Sequence, residues 1–178
     1  MEALLQAGLL PEHHLVDIGA GALRLGCKAV RYLEPRHYWS TDASLALMMR
    51  GWAEEIHPPD RLPISHLVED TALAFPNVPT DISHAMCFAM FPHLPQSVAS
   101  DALIRIAQRF PQLQCLLFTV FLDAGPAAIG GPVRQADGVV TLPDRRPIIW
   151  VWTPCTRWRR RLAYQFVSKT GCCHAGTN

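Results

Sequence analysis

The sequence predicts an α/β fold of three layers, with a mainly parallel sheet between helices. Three observations predict it. Short apolar runs of strand length alternate with segments whose apolar residues recur at helical spacing, the order expected when each strand is followed by a crossover helix. The 178 residues are 49% hydrophobic and 17% charged, which supplies one sizeable core and excludes bulk disorder. A Gly-x-Gly turn, within "DIGAG" at Asp17 to Gly21, directly follows the first apolar run. Glycines there let backbone approach a ligand closely.

The elements follow in order. "HLVDI" (His14 to Ile18) reads as a buried strand, and Leu25, Ala29 and Leu33 mark one face of a helix that stops before Pro35. "HYWSTD" (His37 to Asp42) is a second strand. Leu45, Met48, Met49, Trp52 and Ile56 then outline an amphipathic helix. Proline-containing loops separate a third strand, Ile64 to Asp70, from a fourth, Asp81 to Met90. Pro95 opens a helix whose Val98, Ala102, Leu103, Ile106 and Phe110 share a face, and Cys115 to Phe121 is the fifth strand.

Composition narrows the function. A net charge of +1 gives no global reason to expect nucleic acid as a partner. The longest apolar run, Cys115 to Leu122, is far too short to cross a bilayer. The first residues lack a basic segment followed by an apolar core, so a cytoplasmic protein with its 6 cysteines as thiols is expected. "CCH" at Cys172 to His174 lacks a second pair at zinc-finger spacing, so no metal is expected.

The turn after the first strand departs from the dinucleotide fingerprint, because Arg24 stands where its third glycine belongs. An acid just before the turn, Asp17, disfavours a pyrophosphate and suits a ligand with positive charge. Asp42 ends the second strand about twenty residues beyond the turn, where a carboxylate can accept hydrogen bonds from ribose hydroxyls. One acid for a cationic group and one for a ribose describe S-adenosylmethionine better than NAD.

"LVDIGAGALRLG", "YLEPRHYWSTDAS" and "HAMCFAMFPHLP" together resemble class I S-adenosylmethionine-dependent methyltransferases, in particular the subgroup with D-I-G-x-G-x-L-R-x-G, Y-L-x-P and V-F-T-H-L-P motifs. The resemblance runs from about Leu5 to Pro147 and implies a Rossmann-like sandwich. It implies that Asp17, Gly19, Ala20 and Gly21 lie against the methionine part of the cofactor. By the same resemblance Asp42 holds the ribose with Ala43 beside the adenosine, Asp70 and Thr71 lie near the adenine amine, and Phe88 lies beneath the transferable methyl group. His93 matches the histidine of H-L-P. Pro92 in place of Thr, Leu25 in place of Gly, and Phe88 where a polar side chain is common depart from the pattern.

Methyl transfer from a sulfonium is an in-line displacement, so alignment is the protein's main task. Where the acceptor must lose a proton, His93 is the candidate general base. The acceptor expected is a small molecule, with neither nucleic acid nor membrane as partner. A cofactor-binding remnant without turnover and an NAD-dependent oxidoreductase are the alternatives.

The chain divides at Pro147. From Ile148 onward come five Lys/Arg residues and no acid, with three of the five tryptophans and "RWRRR" at Arg157 to Arg161. The resemblance implies a helix here and then an antiparallel pair of strands closing the sheet. Read one base earlier, Trp150-Val151 forces Gly and Trp152-Thr153 forces Asp. With free choice at the unforced positions, the segment becomes an amphipathic Ala- and Leu-rich helix. Residues 1–147 are therefore read as a methyltransferase domain and 148–178 as a frameshifted, aberrant tail that is poorly structured. The expected sheet lacks its usual closing strands and leaves the fifth strand as an apolar edge prone to aggregation.

Overall fold

A computed structural model describes residues 1–119, together with strands at Phe121–Leu122, Val133–Arg134, Val140–Thr141, Ile149–Trp150, Ala163–Ser168 and Gly171–Cys172. Helix α1 (Glu2–Gln6) precedes β1 (Leu15–Ile18), α2 (Gly26–Tyr32), β2 (Tyr38–Asp42) and α3 (Leu45–Glu55). Strands β3 (Leu67–Glu69) and β4 (His84–Cys87) follow, then α4 (Gln96–Arg109) and β5 (Cys115–Phe118). The five strands are parallel in the order β5-β4-β1-β2-β3. Strand order reverses between β1 and β4, because the chain lays β2 and β3 on one side of β1 and then returns to the other. A crevice opens at such a switch point, at the carboxyl ends of the strands.

Alternation along the strands separates the layers. Val16 and Ile18 of β1, Ala85 and Cys87 of β4, and Leu116 and Phe118 of β5 pack with Ala99, Ala102 and Ile106 of α4. Leu15, Met86 and Leu117 face the other way and pack with Leu4, Val30 and Met48 from α1, α2 and α3. Each fully buried Leu or Ile contributes about 2 kcal/mol. This is the three-layer arrangement that the alternating periods predict. Among the described residues no helix is long and apolar enough to cross a membrane.

Element bounds differ from the sequence reading for local reasons. The first half of the expected third strand is a 3-10 turn, Ile64–His66, entered from Pro63. There the His66 ring stacks on Trp39 at 3.6 Å, and its Nδ1 lies 3.0 Å from the Tyr38 carbonyl. Before β4, the N–H groups of Ser83 and His84 both donate to the His14 carbonyl. After β4, Ala89 takes a left-handed φ of 59° that ends the strand. Pro95 is the N-cap of α4, so the helix starts where its proline suggests. The five-residue α1 is too short for a helical period to show.

The expectation of a bare edge on β5 is corrected. Ala163–Ser168 pairs with β5 in parallel, Ala163 opposite Cys115 through Phe166 opposite Phe118, and Gly171–Cys172 adds an antiparallel partner outside it. A parallel neighbour thus stands where the resemblance implies an antiparallel closing pair. The ladder satisfies β5's outward backbone groups, which an apolar edge otherwise leaves open. The basic run Arg157 to Arg161 lies outside the described residues.

No helix fills the connection from β3 to β4. Asp70 organises it instead: Oδ1 accepts from the N–H groups of Ala72 (2.9 Å) and Ala74 (3.2 Å), and Oδ2 from Phe75 (2.7 Å). Leu73, Phe75 and Asn77 take left-handed φ values of 55°, 52° and 61°. From α4, the Arg109 guanidinium donates to the carbonyls of Val78 and Phe75 and lies 5.2 Å from the centre of the Phe110 ring. Arg109→Ala is expected to lower stability by about 2 kcal/mol, because two carbonyls lose a charged donor. Urea unfolding measures the loss, and faster exchange of amide hydrogens at residues 72–78 locates it.

Candidate binding site

A cavity of about 500 Å³ opens at the carboxyl ends of β1, β2 and β3, on the β2 side of the switch point and under α4. Ile18 and Gly19 form its floor and Thr41, Asp42 and Ala43 one wall. Asp70 to Leu73 form a second wall, with Met90 and the α4 residues Val98 and Ala102 opposite. Its volume lies within the range of small-ligand sites.

The turn after β1 is stitched to β2. The N–H groups of Gly19 and Ala20 both donate to the Thr41 carbonyl, at 2.8 and 3.1 Å. Gly19 and Gly21 have φ values of 74° and 54°, in the region that favours glycine. A Cβ on Gly19 would touch Met90 at 3.6 Å, while one on Gly21 would meet open space. Gly21 is therefore required by its φ and not by crowding.

Asp42 joins the turn to the next helix. Its Oδ2 accepts from the Gly21 N–H and its Oδ1 from the Ser44 N–H, both at 2.9 Å. Ser44 then caps α3, its hydroxyl accepting from the Leu47 N–H at 3.2 Å. The carboxylate is held by two backbone donors and keeps lone pairs for a ligand in the cavity. Asp70 is tied in as well, since its N–H donates to the Asp42 carbonyl at 2.9 Å.

Asp17 lies beneath the turn and does not line the cavity. It is 4% exposed, on the α2 side of the sheet, and the Tyr38 hydroxyl donates to its Oδ2 at 2.7 Å. Burial pushes the Asp17 carboxyl up to about 7; the Tyr38 bond works against that rise and the nearby Asp42 charge adds to it. The consequence for stability has a definite sign. Because the folded value lies above the ordinary 3.8, the stability that Asp17 contributes is complete below about pH 4 and is lost as pH rises through about 7. Asp17→Asn is therefore expected to unfold at higher denaturant than the parent at pH 8, by a few kcal/mol at about 1.4 kcal/mol per tenfold change in proton affinity. Near pH 4 that advantage disappears. Urea titrations at the two pH values check it.

Of the residues singled out from the sequence, Gly19, Asp42, Ala43, Asp70 and Thr71 meet around the cavity. Ala20 and Gly21 belong to the turn but do not line it. Phe88 is half-buried and packs against the core layer beneath α2 and α3. His93 is exposed on the 3-10 turn Phe91–His93, outside the cavity lining. Met90, not singled out from the sequence, lies next to Gly19, 3.6 Å from where its Cβ would be.

Asp101 and Arg105 also line the cavity and were not singled out. Their spacing was the available signal: Asp101 lies three positions beyond Val98, and Arg105 three beyond Ala102. With them the lining holds three carboxylates (Asp42, Asp70, Asp101) and one guanidinium (Arg105). That balance favours a cationic ligand over an anionic one. Among the described residues no group of three or more His, Cys, Asp or Glu is placed to hold a metal ion, and Cys173 and His174 lie outside those residues.

No protein-family model and no curated protein matches this chain. Solved structures do. Magnesium protoporphyrin IX methyltransferase (ChlM) from Synechocystis PCC 6803 with bound SAM is similar at 16% identity, over 61% of this chain and 50% of that one, with a TM-score of 0.50. YcgJ from Bacillus subtilis is similar at 18% identity, over 69% of this chain and 51% of that one, with a TM-score of 0.53. The chain thus spans about half the length of either protein. What it shares with them is the fold, a Rossmann-like α/β sandwich.

Proposed function

We propose that this chain binds S-adenosylmethionine in the cavity at the β1–β4 switch point and belongs to an enzyme that transfers its methyl group to a small-molecule acceptor. The observation that carries the reading is an acidic cavity built on a glycine turn, with the Asp42 carboxylate fixed by the Gly21 and Ser44 N–H groups. The SAM bound to the Synechocystis methyltransferase supports the same cofactor for this fold.

The residues present fit such a ligand. Asp42 would accept from the ribose hydroxyls, and Ala43, Asp70 and Thr71 would flank the base. Gly19 would admit the amino-acid end against backbone. Bound there, S-adenosylmethionine supplies a methyl group already activated by its sulfonium charge. The protein's contribution is to orient the ligand and, through Met90, Leu94 and Val98, to keep water from that side of the cavity. A pyrophosphate ligand such as NAD is disfavoured by the same carboxylates.

His93, exposed and outside the lining, favours a second reading, in which the chain holds the cofactor without turnover. On either reading residues 1–147 are the cofactor-binding unit, in the cytoplasm, and 148–178 the product of a shifted frame, although Ala163–Ser168 pairs with β5. Resequencing of the coding DNA tests the last point; codons that cannot yield the Ala- and Leu-rich helix refute it.

Calorimetric titration of the full chain tests the cofactor. S-adenosylmethionine and S-adenosylhomocysteine are expected to bind and NAD to give no heat. Silence from the first two, with folded chain confirmed by circular dichroism, overturns the proposal.

A further inference from the structure

Asp17, Tyr38 and Gly26 come from three elements and fit one another closely. Tyr38 opens β2 and is 1% exposed, yet its hydroxyl reaches the carboxylate of β1 at 2.7 Å. At the start of α2, Gly26 leaves the space that the hydroxyl needs: a Cβ there would lie 2.2 Å from the Tyr38 oxygen. Two residues beyond Asp17, Gly19 enters the cavity floor.

Packing alone does not account for this arrangement. A phenylalanine would fill the apolar layer as well as Tyr38, and an apolar residue would serve at Asp17, which shares that layer with Leu15 and Met86, both 0% exposed. A buried acid costs free energy on folding unless its charge is used. The place where that charge can be used is the cavity floor just beyond it.

We propose that Tyr38 is a positioning residue which, through its hydrogen bond to Asp17, sets the charge held beneath the glycine turn, so that binding of a cationic ligand over Gly19 is coupled to release of the Asp17 proton. The proton leaves the carboxyl group for solvent as the ligand's positive charge arrives, and no other bond changes. The inference rests on the reading of the cavity as an S-adenosylmethionine site and adds to it how that site responds to pH.

The groups around Asp17 allow this assignment. Tyr38 and Asp42 act on it from β2; Cys87 of β4, on the opposite face of the sheet, feels its charge, and on the α2 side Cys27 acts on Tyr38. Burial and the Asp17 charge push the Tyr38 hydroxyl and the Cys87 thiol well above their ordinary values. Neither titrates near neutrality. Asp17, raised to about 7, does. A cation bound over the turn favours the ionised carboxylate and lowers that value, which makes affinity increase with pH.

The test is calorimetric titration of S-adenosylmethionine into the full chain between about pH 6 and 8.5, in buffers of different ionisation enthalpy that count protons released. The parent chain is expected to release a proton fraction near neutral pH and to gain roughly tenfold in affinity across that range, the same factor by which the bound ligand strengthens Asp17 as an acid. Asp17→Asn should bind with a flatter profile, and because the ligand's own amine titrates in both chains, the difference isolates Asp17. Tyr38→Phe should keep the rise but move it to higher pH, since the lost bond favours the ionised form. If it does not fold, the comparison of parent with Asp17→Asn still decides. Parent and Asp17→Asn profiles that coincide, with no extra proton released, overturn the inference and leave the binding-site reading standing. A folded parent that binds at no pH overturns the reading itself.

Discussion

Gly51→Ala is expected to lower the melting temperature by about 10 °C. Gly51 is buried on α3, and a Cβ there would lie 2.1 Å from the carbonyl oxygen of Ala22 and 2.3 Å from its carbon. The obstacle is backbone, so no rotamer change relieves it. Either α3 moves off the sheet or the turn from Gly19 to Leu23 is pushed out of shape. Overpacking of this severity costs about 3 kcal/mol, which for a chain of this length is about 3 °C per kcal/mol. Gly8→Ala is the contrast: its φ of 86° strains an alanine, but nothing lies within 4 Å of the added Cβ. Scanning calorimetry on the two variants separates crowding from φ strain, and equal losses would refute the crowding argument. Since Ala22 belongs to the turn over β1, Gly51→Ala should also weaken binding of S-adenosylmethionine more than its stability loss accounts for.

Asp42→Ala is expected to weaken S-adenosylmethionine binding about 100-fold. It removes the acceptor for the ribose and leaves the Gly21 and Ser44 N–H groups without the carboxylate that fixes them. A 100-fold loss corresponds to about 2.7 kcal/mol, the scale of one or two hydrogen bonds to a charged group. Asp42→Asn keeps one oxygen acceptor and should lose about tenfold. The stability cost of either change is expected to stay near 1–2 kcal/mol, since the N–H groups are only partly buried and water can reach them. Calorimetric affinities set against urea midpoints make the check. If Asp42→Ala bound as tightly as the parent, the ribose would not lie at Asp42.

How far the sequence could be read depended on whether a signal was local. The strands around Asp17, Asp42 and Cys115 were legible because apolar runs and adjoining turn residues reside in the same few positions. Gly19 and Asp42 were legible because their spacing follows from one strand, one helix and one more strand. The loop after Asp70 was not. Its left-handed residues Leu73, Phe75 and Asn77 are not glycines, and what holds them is a carboxylate that accepts three N–H bonds. Asp17 shows a different limit. Its residue type suggested a contact with charge, but the partner 2.7 Å away is a tyrosine at the start of the next strand, a pairing visible only once β1 and β2 lie side by side. The strand at Ala163–Ser168 was missed because its sequence, "AYQFVS", sits in a stretch with no sustained alternation.

The order in which the chain visits the sheet also bears on when the crevice can exist. On one side, Gly21 meets Asp42 across 21 residues of chain. On the other, Ser83 reaches the His14 carbonyl across 69, at the entrance to the β1–β4 ladder. Closing the longer loop costs about 1 kcal/mol more in chain entropy, and contacts of such range are made late and slowly. The seam that closes last is the one that opens onto the cavity. A ligand held there therefore recognises only a chain whose longest circuit is complete, and during synthesis the first 80 residues would present half a pocket, with Gly19 and Asp42 in place and Met90 yet to arrive.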